Sequence, residues 1–215
     1  MRAMKKVYES TRVLAPLQVT LVIDTHLPRK NGLSAHISRM VNGLSQREHE
    51  IHLIRPRMHK HDGMSAQAQY TETLVTGIPV LGYPGLKSGL PAKGKLLRLW
   101  RIQRPDVVHI ATEGPLGWSA LSAAREMNIP VSTDIHSSFH RRARQHNIGF
   151  LNQPVAAYLR HFHNKAACTL VSKHRLQQQL SQEGYQNVRV VSNIVDTELF
   201  HPVRRRIKKQ AETAS

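Results

Sequence analysis

Residues 17–37 read LQVTLVIDTHLPRKNGLSAHI. Positions 17–24 form an apolar run rich in β-branched side chains, the pattern of a buried strand, and the run ends on a carboxylate. The segment THLPRKNGL at 25–33 breaks it with Pro and Gly. Beyond that loop Ile37, Met40, Val41 and Leu44 recur at the spacing of one helix face. Strand, loop and helix in that order predict the first half of a parallel crossover unit.

The same alternation runs outward along the chain. A second strand is predicted at 50–54, followed by a Gly- and Pro-punctuated stretch, 56–92, that reads as irregular apart from one strand near 74–75. Leu96, Leu97, Leu99 and Trp100 mark a helix over 93–103, which must end near Arg104-Pro105 because the proline ring cannot continue it. Strands follow at 106–110 (DVVHI), 130–135, 169–171 and 188–191, separated by helices at 118–127, 154–164 and 173–183. This order predicts an α/β fold with a doubly wound, mostly parallel sheet, Rossmann-like, whose ligands bind beyond the carboxyl ends of the strands. The expected organisation is an N-terminal extension at 1–16, one domain over 17–200 and a basic, disordered tail at 201–215.

Composition narrows the class. With 215 residues, 40% of them hydrophobic, 12 Gly and 11 Pro, the chain can bury a sizeable core and is neither collagen-like nor of low complexity. A single cysteine, Cys168, excludes an internal disulfide framework and points to a reducing, cytoplasmic setting. The N-terminus carries no secretion-signal pattern, and no window approaches the roughly 18 uninterrupted apolar residues of a spanning helix. Lys and Arg number 31 against 14 Asp and Glu, a formal charge of +17. Such a field attracts nucleic acid, anionic lipid and phosphorylated small molecules alike. The charge is scattered in separate clusters rather than set along one recognition helix, so nucleic acid is the less expected partner and attachment to the inner face of an anionic membrane is the alternative left open.

Several strand-end segments carry chemistry. Asn31 and Gly32 lie where a strand's loop meets a helix start, and free amides beside a glycine suit a phosphate, although one glycine there equally makes an ordinary turn. No GxGxxG or GxxxxGK[ST] accompanies them. At the end of DVVHI, Thr112 could cap the next helix and Glu113 could complement its dipole, with Gly114 following. At the end of the next strand stand Asp134 and His136, then Arg141, Arg142 and Arg144. That combination can relay a proton or orient a hydroxyl beside an anionic acceptor. The pairs His59/His61 and His161/His163 lack the spacing and third ligand of a metal site, so no metal is expected. Trp100, Trp118, Phe150 and Phe162 are most simply core.

Read in order, VIDTHLPRKNGLSAHI, EIHLIRPR, GIPVLGYPGLKSGLPA, RPDVVHIATEGPLGWSALSAAR, DIHSSFHRRARQHNIGFL, YLRHFHN and VDTELFHPVRR resemble the N-terminal half of the retaining GT-B glycosyltransferases of family 4, which include lipid mannosyltransferases and sulfoquinovosyl transferases. The resemblance implies transfer of a sugar from a nucleotide-sugar to a lipid or glycan acceptor with retention, and no cofactor beyond that donor. It places Asn31 and Gly32 near the donor diphosphate, His136 on the active-site histidine, and Glu113, Gly114 and Asp134 along the cleft. In the family VDTELF leads into a second Rossmann-like domain that holds the donor. Here only about fifteen residues follow it, so the chain is expected to be incomplete alone, as an inactive remnant or as the partner of a separately encoded C-terminal half. The family also carries Gly where Glu48 and Ile194 stand and Pro where Ser172 stands. A non-glycine residue at such a turn would be strained. The rival expectation is a non-enzymatic basic module that binds nucleic acid or an anionic membrane.

Overall fold

The computed structural model describes residues 15–24, 32–59, 62, 70–80, 86–135 and 152–191. Seven parallel strands form one sheet in the order β3-β2-β1-β6-β7-β8-β9, where β1 is Gln18–Val22, β2 Glu50–Pro56, β3 Thr71–Val75, β6 Val107–Ile110, β7 Val131–Asp134, β8 Cys168–Val171 and β9 Val188–Val190. A separate antiparallel pair, β4 (Gly77–Pro79) and β5 (Lys87–Gly89), lies between β3 and α2 in the chain. The helices are α1 (Gly32–Ser45), α2 (Lys93–Ile102), α3 (Pro115–Glu126), α4 (Asn152–Asn164) and α5 (His174–Gln182). The doubly wound α/β prediction is correct, and the sheet is parallel throughout.

Strand alternation explains the two-sided core. In β1 and just beyond it, Val19, Leu21 and Ile23 face the cluster that includes Ile37 and Val41 of α1, while Val22 faces Leu96 and Trp100 of α2 and Leu116 and Ala120 of α3. Trp100 and Phe162 are fully buried, as expected of core aromatics, whereas Trp118 is only half-buried.

Two expectations need correction. The 56–92 stretch contains a full five-residue strand, β3, and the β4–β5 hairpin. The hairpin strands are only three residues each and mostly not buried, so no alternation of apolar side chains announces them. Helix α3 begins at Pro115, ahead of the predicted 118, because its start is stabilised by Asp24, a residue distant in sequence. The N-terminal residues 1–14 and the basic tail 201–215 lie outside the described residues.

Strand order sets the location of a site. Winding reverses between β1 and β6, the switch point where a crevice opens at the carboxyl edge of such a sheet. The loops after β1, β6 and β7 leave from that edge. Gly32 opens the helix after β1, Glu113 and Gly114 lie between β6 and α3, and Asp134 ends β7.

Candidate functional site

Asp24, two residues past β1, organises the switch point. It is 2% exposed. Its Oδ1 accepts the Leu116 amide at 2.7 Å and its Oδ2 the Gly117 amide at 2.9 Å, so it caps α3 across 92 and 93 residues of sequence. The Thr112 hydroxyl accepts the Asp24 amide at 2.6 Å and donates to Oδ2 at 3.2 Å. Burial pushes the Asp24 carboxyl up to about 6, against the downward pull of the Gly117 and Leu116 amides and the Thr112 hydroxyl. Thr112 therefore serves the cap through Asp24 instead of capping α3 itself. Gly114 is the N-cap residue and offers no side chain.

A second carboxylate, Asp134, closes β7. Its Oδ2 is bonded to His36 Nε2 of α1 at 2.7 Å and lies 3.2 Å from His109 Nε2 of β6, whose Nδ1 in turn meets Ser132 Oγ at 2.9 Å. Burial opposes ionisation of Asp134, but the hydrogen bonds and charges of His109 and His36 outweigh it and hold the carboxyl below the usual range. Asp134 thus ties the helix that follows the Gly32 loop to the strand that precedes His136.

Glu113 stands one residue ahead of the α3 N-cap, Gly114. Its carboxylate lies 3.3 Å from Nε2 of the buried His163, an ion-pair distance without hydrogen-bond alignment. The Glu113 carbonyl accepts the Tyr158 hydroxyl at 2.6 Å, and Tyr158, His161 and Phe162 of α4 all pack against Trp118. His163 Nδ1 pairs with Thr133 Oγ1 at 2.9 Å. The 161/163 pair is therefore structural, and among the described residues no group of three potential metal ligands occurs.

Gly32 stands at the first position of α1, Glu113 and Gly114 follow β6, and Asp134 ends β7. Asn31, His136, Arg141, Arg142 and Arg144 lie outside the described residues. Asp24, His36 and His109 were missed by sequence reasoning. Their signals were a carboxylate ending the first apolar run and a histidine inside the strand DVVHI. Because Asp24 consumes two leading amides of α3, that helix start is occupied, whereas α1 has no acidic residue in its first turn. Both buried carboxylates are held by internal partners, which suits them to fixing loops rather than attacking a substrate.

Residues 30–199 match Glycosyltransferase Family 4. The chain belongs to that family. Family 4 relatives include the GDP-mannose-dependent alpha-mannosyltransferases of Mycolicibacterium smegmatis, 26% identical over 88% of this chain and 51% of the relative, and of Mycobacterium tuberculosis, 27% identical over 88% and 50%. The chain spans about half the length of these curated relatives. A solved sucrose-phosphate synthase from Thermosynechococcus elongatus superposes with a TM-score of 0.63 at 11% identity, covering 91% of this chain and 52% of that one. The family 4 chain thus has the fold of one Rossmann-like lobe of a GT-B enzyme. No helix among the described residues is long and apolar enough to cross a membrane.

Proposed function

We propose that this chain is the acceptor-side lobe of a retaining glycosyltransferase that moves a hexosyl group from a nucleotide-sugar to a lipid or glycan acceptor. The observation that carries the reading is the family 4 match over residues 30–199 in a chain spanning half its relatives' length. The mannosyltransferase relatives favour GDP-mannose as the donor to test first.

In this reading the amides at the start of α1, with Asn31 and Gly32, approach the donor diphosphate, since leading helix amides have no partner within the helix. His136 faces the transferred sugar or the acceptor hydroxyl. Glu113, Gly114 and Asp134 shape the cleft wall, with Asp24 and Thr112 fixing the β6 loop and His36 and His109 fixing the β7 end. Arg141, Arg142 and Arg144 face an anionic acceptor or the cytoplasmic face of a membrane. No metal or cofactor besides the donor takes part. The groups that hold the nucleotide and stabilise the leaving diphosphate belong to a second lobe outside these 215 residues, so this lobe alone turns over poorly.

The test is incorporation of labelled sugar from GDP-mannose and other nucleotide-sugars into lipid and glycan acceptors, by the chain alone and with a second lobe encoded in the same genome. Transfer only in the presence of both is expected. Robust transfer by the chain alone would overturn the incomplete-lobe reading. Salt-sensitive binding to nucleic acid, with no transfer under any pairing, would favour the basic-module alternative.

A further inference from the structure

A cavity of about 660 Å³ opens at the carboxyl ends of β2 and β3, away from the β6–β7 loops. Its rim carries four permanent cations, Arg57, Lys87, Lys93 and Lys95, and no carboxylate occurs among its described lining residues. Leu74, Val75 and Leu90 contribute apolar surface. The volume falls within the roughly 300–1,000 Å³ of small-molecule pockets, so it has room for an organic group as well as an anion.

The surrounding structure keeps this charge from being neutralised. The nearby carboxylates Asp62 and Glu72 are engaged by the buried Arg55, whose guanidinium bonds Asp62 at 2.8 and 3.1 Å and Glu72 at 3.0 and 3.2 Å. Asp62 also accepts the Met58 amide, which fixes the turn carrying Arg57. The cations themselves keep donors in reserve. Arg57 gives one N–H to the Asp62 carbonyl and Lys95 one to the Leu74 carbonyl. Lys93 pairs with Glu126 only at the exposed surface, where such pairs are weak. Lys87 sits in β5 two residues from Gly89, whose amide donates to the Asp24 carbonyl at 2.9 Å.

We propose that this cavity is a phosphate-ester site, in which Arg57, Lys87, Lys93 and Lys95 hold the phosphate and the apolar floor takes the organic group. Several cations lining one pocket suit a tetrahedral dianion. That the ester is the sugar acceptor rests on the reading above, whereas the anion site itself does not.

Two probes separate the sources of phosphate: glycerol 3-phosphate, followed by titration calorimetry at low ionic strength, and phosphatidylcholine vesicles with or without phosphatidic acid, followed by co-sedimentation. Lys87→Gln is expected to weaken binding about tenfold or more, while Arg175→Gln, the same charge change on an exposed side chain of α5, leaves it unchanged. Lys93→Gln, also at an exposed position, provides a second variant if Lys87→Gln folds poorly. A response with glycerol 3-phosphate assigns a soluble ester, and a response confined to phosphatidic acid vesicles assigns a lipid headgroup. The proposal is overturned if neither probe binds, or if Arg175→Gln weakens binding as much as the cavity variants. No sugar transfer enters the measurement, so an intact phosphate site in a chain that never supports transfer would sink the transferase reading alone.

Discussion

Asp24 and Gly114 are in such close contact that a Cβ on Gly114 would lie 2.6 Å from the Asp24 carboxyl carbon. Gly117 is equally constrained, since its Cβ would strike the Thr112 carbonyl. The two glycines let the end of β6 and the start of α3 close onto Asp24, and that closure places Glu113 at the crevice.

Gly114→Ala should therefore destabilise the fold by about 1–3 kcal/mol through overpacking at Asp24. Gly94→Ala is the internal contrast. Nothing lies within 4 Å of the added methyl, and the change should stabilise α2 by roughly 0.5–1 kcal/mol. Urea unfolding of both variants checks the pair, and equal effects would mean the Asp24–Gly114 contact is not tight.

Asp24 gives stability a characteristic pH dependence. Its carboxyl titrates near 6 when folded against 3.8 for the free group, so between those values the native state binds more protons than the unfolded chain. Its contribution is then fully present below about pH 4 and is lost as pH rises through 6. Asp24→Asn lacks this titration, so from pH 4 to pH 7 the wild type should lose roughly 1–3 kcal/mol relative to the variant. Unfolding free energies across that range decide it, and a constant difference would contradict the buried, shifted carboxyl.

Asp134 should behave in the opposite sense. Its carboxyl is held below the usual range, so it contributes stability above about pH 4 and loses it as the pH falls. Asp134→Asn should cost about 1–3 kcal/mol at pH 7, with the difference shrinking toward acid. A cost that persists undiminished in acid would show that the His36 and His109 contacts do not depend on the charge.

The sheet was legible because parallel strands buried on both faces read as apolar runs whatever surrounds them, as in LQVTLVID and DVVHI. The start of α3 was not, because its cap is Asp24, and no local pattern around Pro115 records a partner more than ninety residues away. The same holds for the Asp134 cluster, whose histidines come from α1 and β6. The strand-end positions of Gly32, Glu113, Gly114 and Asp134 were readable from the apolar run before each of them. Short, exposed β4 and β5 left no such trace.

Glu48 ends the turn after α1 at a φ of 63°, a conformation that favours glycine, and its neighbour His49 donates its amide to the Leu44 carbonyl at 3.2 Å. A side chain in this left-handed conformation costs about 1–2 kcal/mol. Glu48→Gly should raise stability by about 1 kcal/mol, read as a higher melting temperature, and a lower one would mean the turn carries no strain.

In the proposed transferase, the carboxyl edge around β1, β6 and β7 forms the reacting wall of the sugar-transfer cleft. The most direct measurement is single-turnover transfer from the nucleotide-sugar by the chain joined to its second lobe, comparing the wild type with His136→Ala. A loss of about a hundredfold or more is predicted, with donor affinity nearly unchanged. An unaltered rate would contradict the placement of the chemistry on this edge.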